Sequence, residues 1–374
     1  MLQYSIDFFD RALHNIHHDS AGDIDIDDDY ISFQRNKVVI RYTDINLQDA
    51  YIFIGRDDYT FFGVVTSVSP TQENTIEVTF KNFLSVFDEP VLFDTDWQLQ
   101  DTEIEGVSGL TNELSLEEAI EELLLATYVN TDDALQVMPI NITPVTETWS
   151  WGFNLVSDVE EQHYCVVGLY STVITEAMKS YGIAVQVTPD FLSGIINLDI
   201  VNQSRQPAVN IDGGMPNVVI KTLKANDRPN GVNKLTVYNA DDFSQSMNFY
   251  VFTDMSWGID PDEEEKTRIF PVVRDVRTAT PDSTMDDPVE AFSLAAIDVA
   301  HGVLSGLEWD NLIELEVATN DPVIRPIGLK FGQRISLWYK GTQYVSILTG
   351  KKMSTKGTTL TFGSERIQIT KRLL

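Results

Sequence analysis

YTFFGVVTSVSPTQENTIEVTF, residues 59–80, alternates apolar and polar residues through one run, breaks at Gln72-Glu73-Asn74, and resumes through a second run that closes on Thr79-Phe80. Period two over such a length is the pattern of a half-buried strand, and a polar break between two such runs makes a hairpin. YVSILTGKKMSTKGTTLTF, residues 344–362, reads the same way and also closes on Thr-Phe. The flanks extend the likeness. AYIFIGRDDYTFFGVV (50–65) and QRISLWYKGTQYVSILTG (333–350) each run strand, Gly-bearing turn, strand, and enter the second strand through Tyr59 or Tyr344. The identity is thin, and strand periodicity alone aligns many all-β stretches, so the pair leaves open whether one β unit occurs twice.

Outward from residues 59–80, YISF (30–33), KVVIRY (37–42) and AYIFI (50–54) add strands, with turns at Arg35-Asn36 and Gly55-Arg56-Asp57-Asp58. A small barrel or sandwich is predicted over residues 1–95, assigned as a first β-barrel. The texture then changes. Ser115 and Glu118 form a Ser-x-x-Glu capping box before Leu116, Ile120, Leu123 and Leu124, which share one helical face. A second helix is predicted over 171–181, with Gly182 as its C-terminal stop, leading into a hairpin of IAVQV (183–187) and GIINLDIV (194–201). Residues 96–205 therefore read as an α+β domain.

Strands return at VVIKTL (218–223), VNKLTVY (232–238) and FYVF (249–252), with a turn signal at Arg228-Pro229-Asn230-Gly231. Asp287 as N-cap and Pro288 at the first helical position, with Glu290 in the first turn, open a helix over Phe292, Ala296, Val299 and Val303. NLIELEVA, RISLWY, YVSIL, TTLTF and RIQIT then fill 311–370. The expected fold class is mainly β with α+β inserts. A second, discontinuous β-barrel takes 206–240 and 310–374, and a helix-bearing domain is inserted at 241–309.

The chain has 374 residues, 43% of them hydrophobic and 10% aromatic, and carries 57 Asp and Glu against 26 Lys and Arg, a net charge of −31. That composition is that of a folded globular protein of several domains. A field of that sign repels nucleic-acid phosphates and argues against DNA or RNA binding. The first residues carry acidic side chains where a signal peptide would be basic, so synthesis in a cytoplasm is expected. Cys165, the single cysteine, makes no intrachain disulfide and reads as a buried small hydrophobe.

Little in the chain carries chemistry. His14, His17 and His18 lie in HNIHH, read as a solvated N-terminal segment in preference to a metal site, and no His-Glu-x-x-His or paired cysteines occur. His163 stands two residues from Cys165, a coincidence of spacing more often than a dyad; the fifth histidine is His301. GDIDIDDDY supplies Asp23, Asp25, Asp27, Asp28 and Asp29, but an EF-hand counted from Asp23 would need Gly at position 28 and Glu at position 34. It reads as a solvated acidic turn, with an irregular calcium site as the alternative; PDEEE (261–265) reads as a charged loop. No nucleophile elbow or phosphate loop is present. The expectation is therefore no enzyme, with no catalytic, cofactor-binding or metal residue assigned and no cofactor.

The order of elements, β unit, α+β insert, β unit interrupted by a helix-bearing insert, resembles the phage baseplate hub family. These are tail-tip proteins similar to the T4 hub and to the N-terminal part of siphophage tail-associated proteins. DDYTFFGVVTSV, ITEAMKSYGIAVQV, KFGQRISLWYKGTQYVSIL and TLTFGSE carry the likeness, and the length and the close at FGSERIQITKRLL look like the short tail-tip proteins of lactococcal siphophages. The resemblance implies a homotrimer at the distal end of a virion tail. Its implied partners are the distal tail protein ring, the tail tube and tape-measure proteins, and receptor-binding proteins, and DNA passes without being specifically bound. Some relatives append a peptidoglycan hydrolase after the hub; here the chain stops with the barrel, which puts wall degradation in doubt. Two alternatives remain: a module binding host cell-wall saccharide, with Trp149, Trp151 or Trp257 stacking on sugars, and, last, a wall hydrolase.

Overall fold

The structure is a computed structural model and describes residues 4–22, 24–56, 59–72, 74–94, 109–131, 136–146, 152–156, 164–203, 206–224, 232–253, 257–259, 267–268, 272–281, 287–304, 311–318, 324, 328–354 and 357–363. The chain divides into two compact units, Met1–Leu223 with Leu312–Leu374, and Lys224–Asn311. It is mainly β, with two curled barrel sheets in the first unit and, among the described residues, α-helices only between residues 116 and 181 and between 288 and 304.

The first barrel is built from β1 (Tyr4–Phe9), β2 (Asn15–Ala21), β4 (Asn36–Arg41), β5 (Tyr51–Arg56), β6 (Tyr59–Gln72) and β7 (Thr75–Asn82), with β3 (Ile26–Asp29) leaving it. Its spatial order is β2-β1-β5-β6-β7-β4. Tyr4, Ile6 and Phe8 of β1 turn inward onto Ile52, Ile54, Phe61, Val78 and Phe80, all buried. Alternation of inward side chains thus builds the core from one face of a single sheet. The two end strands meet through a side chain: Asp19 on β2 accepts the Arg41 backbone N–H at 2.8 Å and its guanidinium at 3.0 Å. HNIHH, expected as a solvated segment, has no buried residue and also leads into β2, because the alternation of YSIDFF makes β1 and gives residues 15–21 a partner.

Next come β8 (Pro90–Asp94), β9 (Gly109–Ser115), α1 (Leu116–Tyr128), β10 (Ile140–Ile142), β11 (Gly152–Val156), β12 (Tyr164–Gly168), α2 (Thr175–Tyr181), β13 (Ile183–Asp190) and β14 (Ile195–Asn202). The Ser115–Glu118 capping box is present in both directions. The turn before α2, Leu169–Ile174, is a π-helix, and Gly182 ends α2 at φ +68°. The β13–β14 hairpin reaches back to the first barrel, where Phe191 stacks on Phe9 at 4.1 Å and lies edge-on to Phe53. A 3₁₀ turn, Phe83–Phe87, continues the aromatic contact: Phe83 packs on Phe62, and Phe87 on Tyr128 of α1.

β15 (Val209–Asp212) and β16 (Val218–Lys224) precede the second unit, which holds β17 (Lys234–Asn239), β18 (Ser246–Val251), β19 (Trp257–Gly258), β20 (Arg274–Ala279) and α3 (Pro288–Leu304). Its sheet runs β19-β18-β17-β20, and α3 covers one face through Phe292, Ala296, Ala300 and Leu304. VNKLTVY, expected in the second barrel, is β17 and pairs with β18 and β20 here, since its inward Leu235 and Val237 match the face of α3. The Asp287 carboxylate accepts the Val289 N–H at 2.8 Å, as the N-cap reading expects.

β21 (Leu312–Val317), β22 (Arg334–Tyr339), β23 (Thr342–Ser354) and β24 (Gly357–Phe362) complete the second barrel in the order β15-β22-β23-β24-β21-β16. Strand RIQIT lies outside the described residues. Within the two barrels the same four-strand unit occurs twice: β5-β6-β7-β4 and β22-β23-β24-β21 are both a three-strand meander whose far side takes the strand preceding it. The hairpins match, Arg56 facing Tyr59 and Tyr339 facing Thr342. So do the bulges, which fall between Val65 and Ser67 and between Leu348 and Gly350. In each, a threonine is the extra residue and donates to the carbonyl of the threonine that closes the unit: Thr66 to Thr79 at 3.2 Å, Thr349 to Thr361 at 3.3 Å. The entry bonds repeat as well, Val65 N–H to Ala50 carbonyl at 2.9 Å and Leu348 N–H to Gln333 carbonyl at 3.0 Å.

Candidate functional site: the seam between the barrels

GDIDIDDDY is where sequence and structure part most. Its Ile26–Asp29 forms β3, and YISF, expected as a strand, is a bend after it. Ile24, Ile26 and Asp28 alternate onto one buried face, the strand signal inside the acidic run. β3 leaves the first barrel and pairs antiparallel with β23 of the second, Asp29 opposite Gly350 through Ile26 opposite Met353. Met353, a second-barrel residue, is buried in the core of the first barrel.

Asp28 sits at the centre of this seam. It faces Lys351 across the strand pair, and both are buried. The Tyr59 hydroxyl donates to one carboxylate oxygen at 2.8 Å and the Asn82 amide to the other at 2.6 Å. Burial pushes the Asp28 carboxyl up, while these two donors and the Lys351 charge oppose the push. The Tyr59 hydroxyl is raised well above its usual range by burial and by Asp28. Lys351 is pushed down to about 8 by burial, partly offset by the Asp28 charge. Its ammonium donates to the Leu329 carbonyl at 2.5 Å and lies 5.2 Å from the Phe331 ring centre. Each buried polar group here has a partner, which is the condition for such a network to stabilise.

One step further, the acidic run ties in the α+β insert. Asp29 accepts the N–H groups of Ile31 and Ser32 and turns the chain. Tyr30 then points inward, its hydroxyl accepting the Val185 N–H at 2.8 Å and its carbonyl accepting the Tyr170 hydroxyl. Its ring packs against Tyr170 and Phe331. Gly332, at φ +78°, lets that turn approach α2: a Cβ there would lie 2.8 Å from the Gly182 carbonyl oxygen. Residues 26–33 therefore join the first barrel, the insert and the second barrel.

The other singled-out residues do not converge. His14 pairs with Asp10 at 3.2 Å and His18 with Asp7 at 2.8 Å, and His17 packs beside Phe8. Trp257 packs into the core of the second unit, edge-on to Phe249 at 5.8 Å. Trp149, Trp151, His163 and PDEEE lie outside the described residues, as do the side chains of Cys165 and His301. Among the described residues no three His, Cys, Asp or Glu side chains come together as a metal site, and no helix is long and apolar enough to cross a membrane. The chemistry of the seam is attachment, with no exposed nucleophile or acid–base pair at its centre.

The tail protein of Neisseria meningitidis MC58 aligns with this chain at a TM-score of 0.50 and 11% identity, covering 98% of each. This chain has the fold of phage tail proteins. A second example is the 43 kDa tail protein of prophage MuSo2 from Shewanella oneidensis, which aligns at a TM-score of 0.50 and 11% identity over 97% of this chain and 99% of that one. No protein-family model matches the chain, and no curated protein sequence matches it. In this tail-protein fold the two barrels and both inserts are all included in the aligned length.

Proposed function

We propose that this chain is a structural, non-enzymatic component of a phage virion: the trimeric hub, or tail tip, at the distal end of a siphophage tail, in the short form found in lactococcal siphophages. The observation that carries the reading is the repeat of one four-strand unit, bulge and threonine bond included, held in fixed register within one chain by β3. Three such chains present six like barrels, which match a sixfold tail tube while keeping threefold symmetry. In this role the chain is made in the host cytoplasm. It docks on the distal tail protein ring and on tube and tape-measure proteins, supports receptor-binding proteins, and closes the channel until DNA is ejected. A net charge of −31 suits a wall past which DNA moves without counterion-release binding. Mass photometry of the purified chain, alone and with a distal tail protein, tests this. A trimer that binds the ring is expected; a monomer that binds neither tube nor ring overturns it.

A further inference from the structure

The face of the four-stranded sheet opposite α3 has an unusual composition for this chain. Strand parity puts Leu235, Val237, Phe249, Val251 and Ala279 on the helix side, so the other face carries Lys234, Thr236, Tyr238 from β17, Ser246, Asn248, Tyr250 from β18, and Arg274, Val276, Thr278 from β20. None of these nine is acidic and none is buried, in a chain where acids outnumber bases 57 to 26. The cations are organised: the Arg268 guanidinium lies 4.4 Å from the Tyr250 ring centre and the Lys234 ammonium 5.3 Å from it. Thr236 donates to Asn248 across the strands at 2.8 Å, and Val276 is 60% exposed beside them. A surface with cations held over a ring, hydroxyls and a bare valine fits a carboxylate-bearing protein surface.

The chain carries such a surface on α1. Glu121 and Glu122 stand three and four residues from Glu118 on one half-exposed side of that helix. Glu118 accepts from Ser115 and Glu121 from the Val145 N–H at 2.8 Å, and Glu122 is pushed up by partial burial and by the charges of the other two. A cation brought against them relieves that repulsion.

We infer that the face of the β19-β18-β17-β20 sheet carrying these nine residues docks on a second copy of this chain, with Lys234 and Arg274 set against the carboxylates of its α1. The inference rests on the trimeric reading above and adds the surfaces that meet. Contact of two different patches is heterologous, and such a contact closes into a ring when its rotation is a whole fraction of a turn, as a threefold assembly requires.

The test is sedimentation equilibrium of the full chain, wild type against the pair Lys234→Glu and Arg274→Glu, with circular dichroism to confirm folding. Self-association is expected to weaken about tenfold or more in the double variant, and to recover in part when Glu122→Lys is added. Should the double variant fold poorly, Val276→Glu, a single exposed substitution, is expected to weaken association in the same direction. Association as tight as wild type in a folded variant overturns the inference while leaving the trimer intact. So does a wild-type chain whose face binds a labelled single-stranded DNA oligonucleotide with self-association unmoved by the reversal. A wild type that stays monomeric at every concentration removes the trimeric reading itself, and the inference with it.

Discussion

Asp28 and Lys351 show how single residues hold the seam. Replacing Asp28 by Ala removes the acceptor of Tyr59 and Asn82 and leaves the Lys351 charge buried without its counterpart, a change expected to destabilise by about 3–5 kcal/mol. Urea unfolding of Asp28→Ala checks the loss, with Asp28→Asn, which keeps an acceptor for one donor, falling in between. Lys351 also sets a pH dependence. Its folded value of about 8 lies below its usual 10.5, so between the two the unfolded chain binds more protons and stability rises with pH, by about 3 kcal/mol in all. Lys351→Met is expected to lose that rise, measured from urea midpoints at about pH 7.5 and about pH 10. Asp28 acts with the opposite sign: its raised carboxyl favours the folded state at low pH and loses that contribution as pH rises, so mild acid does not loosen β3 through it. None of this was legible in GDIDIDDDY read for charge. The Ile24, Ile26, Asp28 alternation was present, but an aspartate on the inward face is a strand signal only once a buried lysine and two donors are there to meet it.

The threonine bulges are the test at the level of elements. Thr349 is buried and bonds two carbonyls, those of Thr361 and Gly363, whereas Thr66 is exposed and bonds one. Thr349→Val leaves buried acceptors without their donor and is expected to cost about 1–3 kcal/mol. Thr66→Val, where water replaces the hydroxyl, is expected to cost less than about 1 kcal/mol, and thermal melts of the two variants compare them directly. The elements that the sequence disclosed were those whose signals are local: the Ser115 capping box, the Asp287 N-cap, Gly182 as a left-handed stop, and the hairpins around residues 57–58 and 340–341. The β1–β2 hairpin was missed because acidic and histidine residues mask its alternation, and β17 was given to the wrong sheet. A strand's period says which residues face inward, not which neighbour covers them.

For the whole molecule, the first unit is assembled from two separated stretches of chain, before and after residues 224–311. Its second barrel takes β15 and β16 from one stretch and β21–β24 from the other, and β3 adds a further tie across them. A protease cut placed between residues 225 and 231 or 305 and 310 should therefore leave the flanking pieces associated, co-eluting in size-exclusion chromatography under native conditions and separating only in denaturant. Separation without denaturant would mean that the strand pairing does not hold the discontinuous barrel together. The sequence by itself determined most of the strands from residue 36 onward, the helix caps and the strongly acidic charge, because periodicity, capping and composition act over a few residues. It also posed the likeness of 59–80 to 344–362 without deciding it. Only the tertiary structure decided that the two stretches are one unit used twice, and that the acidic run joins them. The pairing of β3 with β23 and the meeting of Asp28 with Lys351 join residues more than three hundred positions apart, and bulge register is set by the partner strand, so no local pattern encodes them.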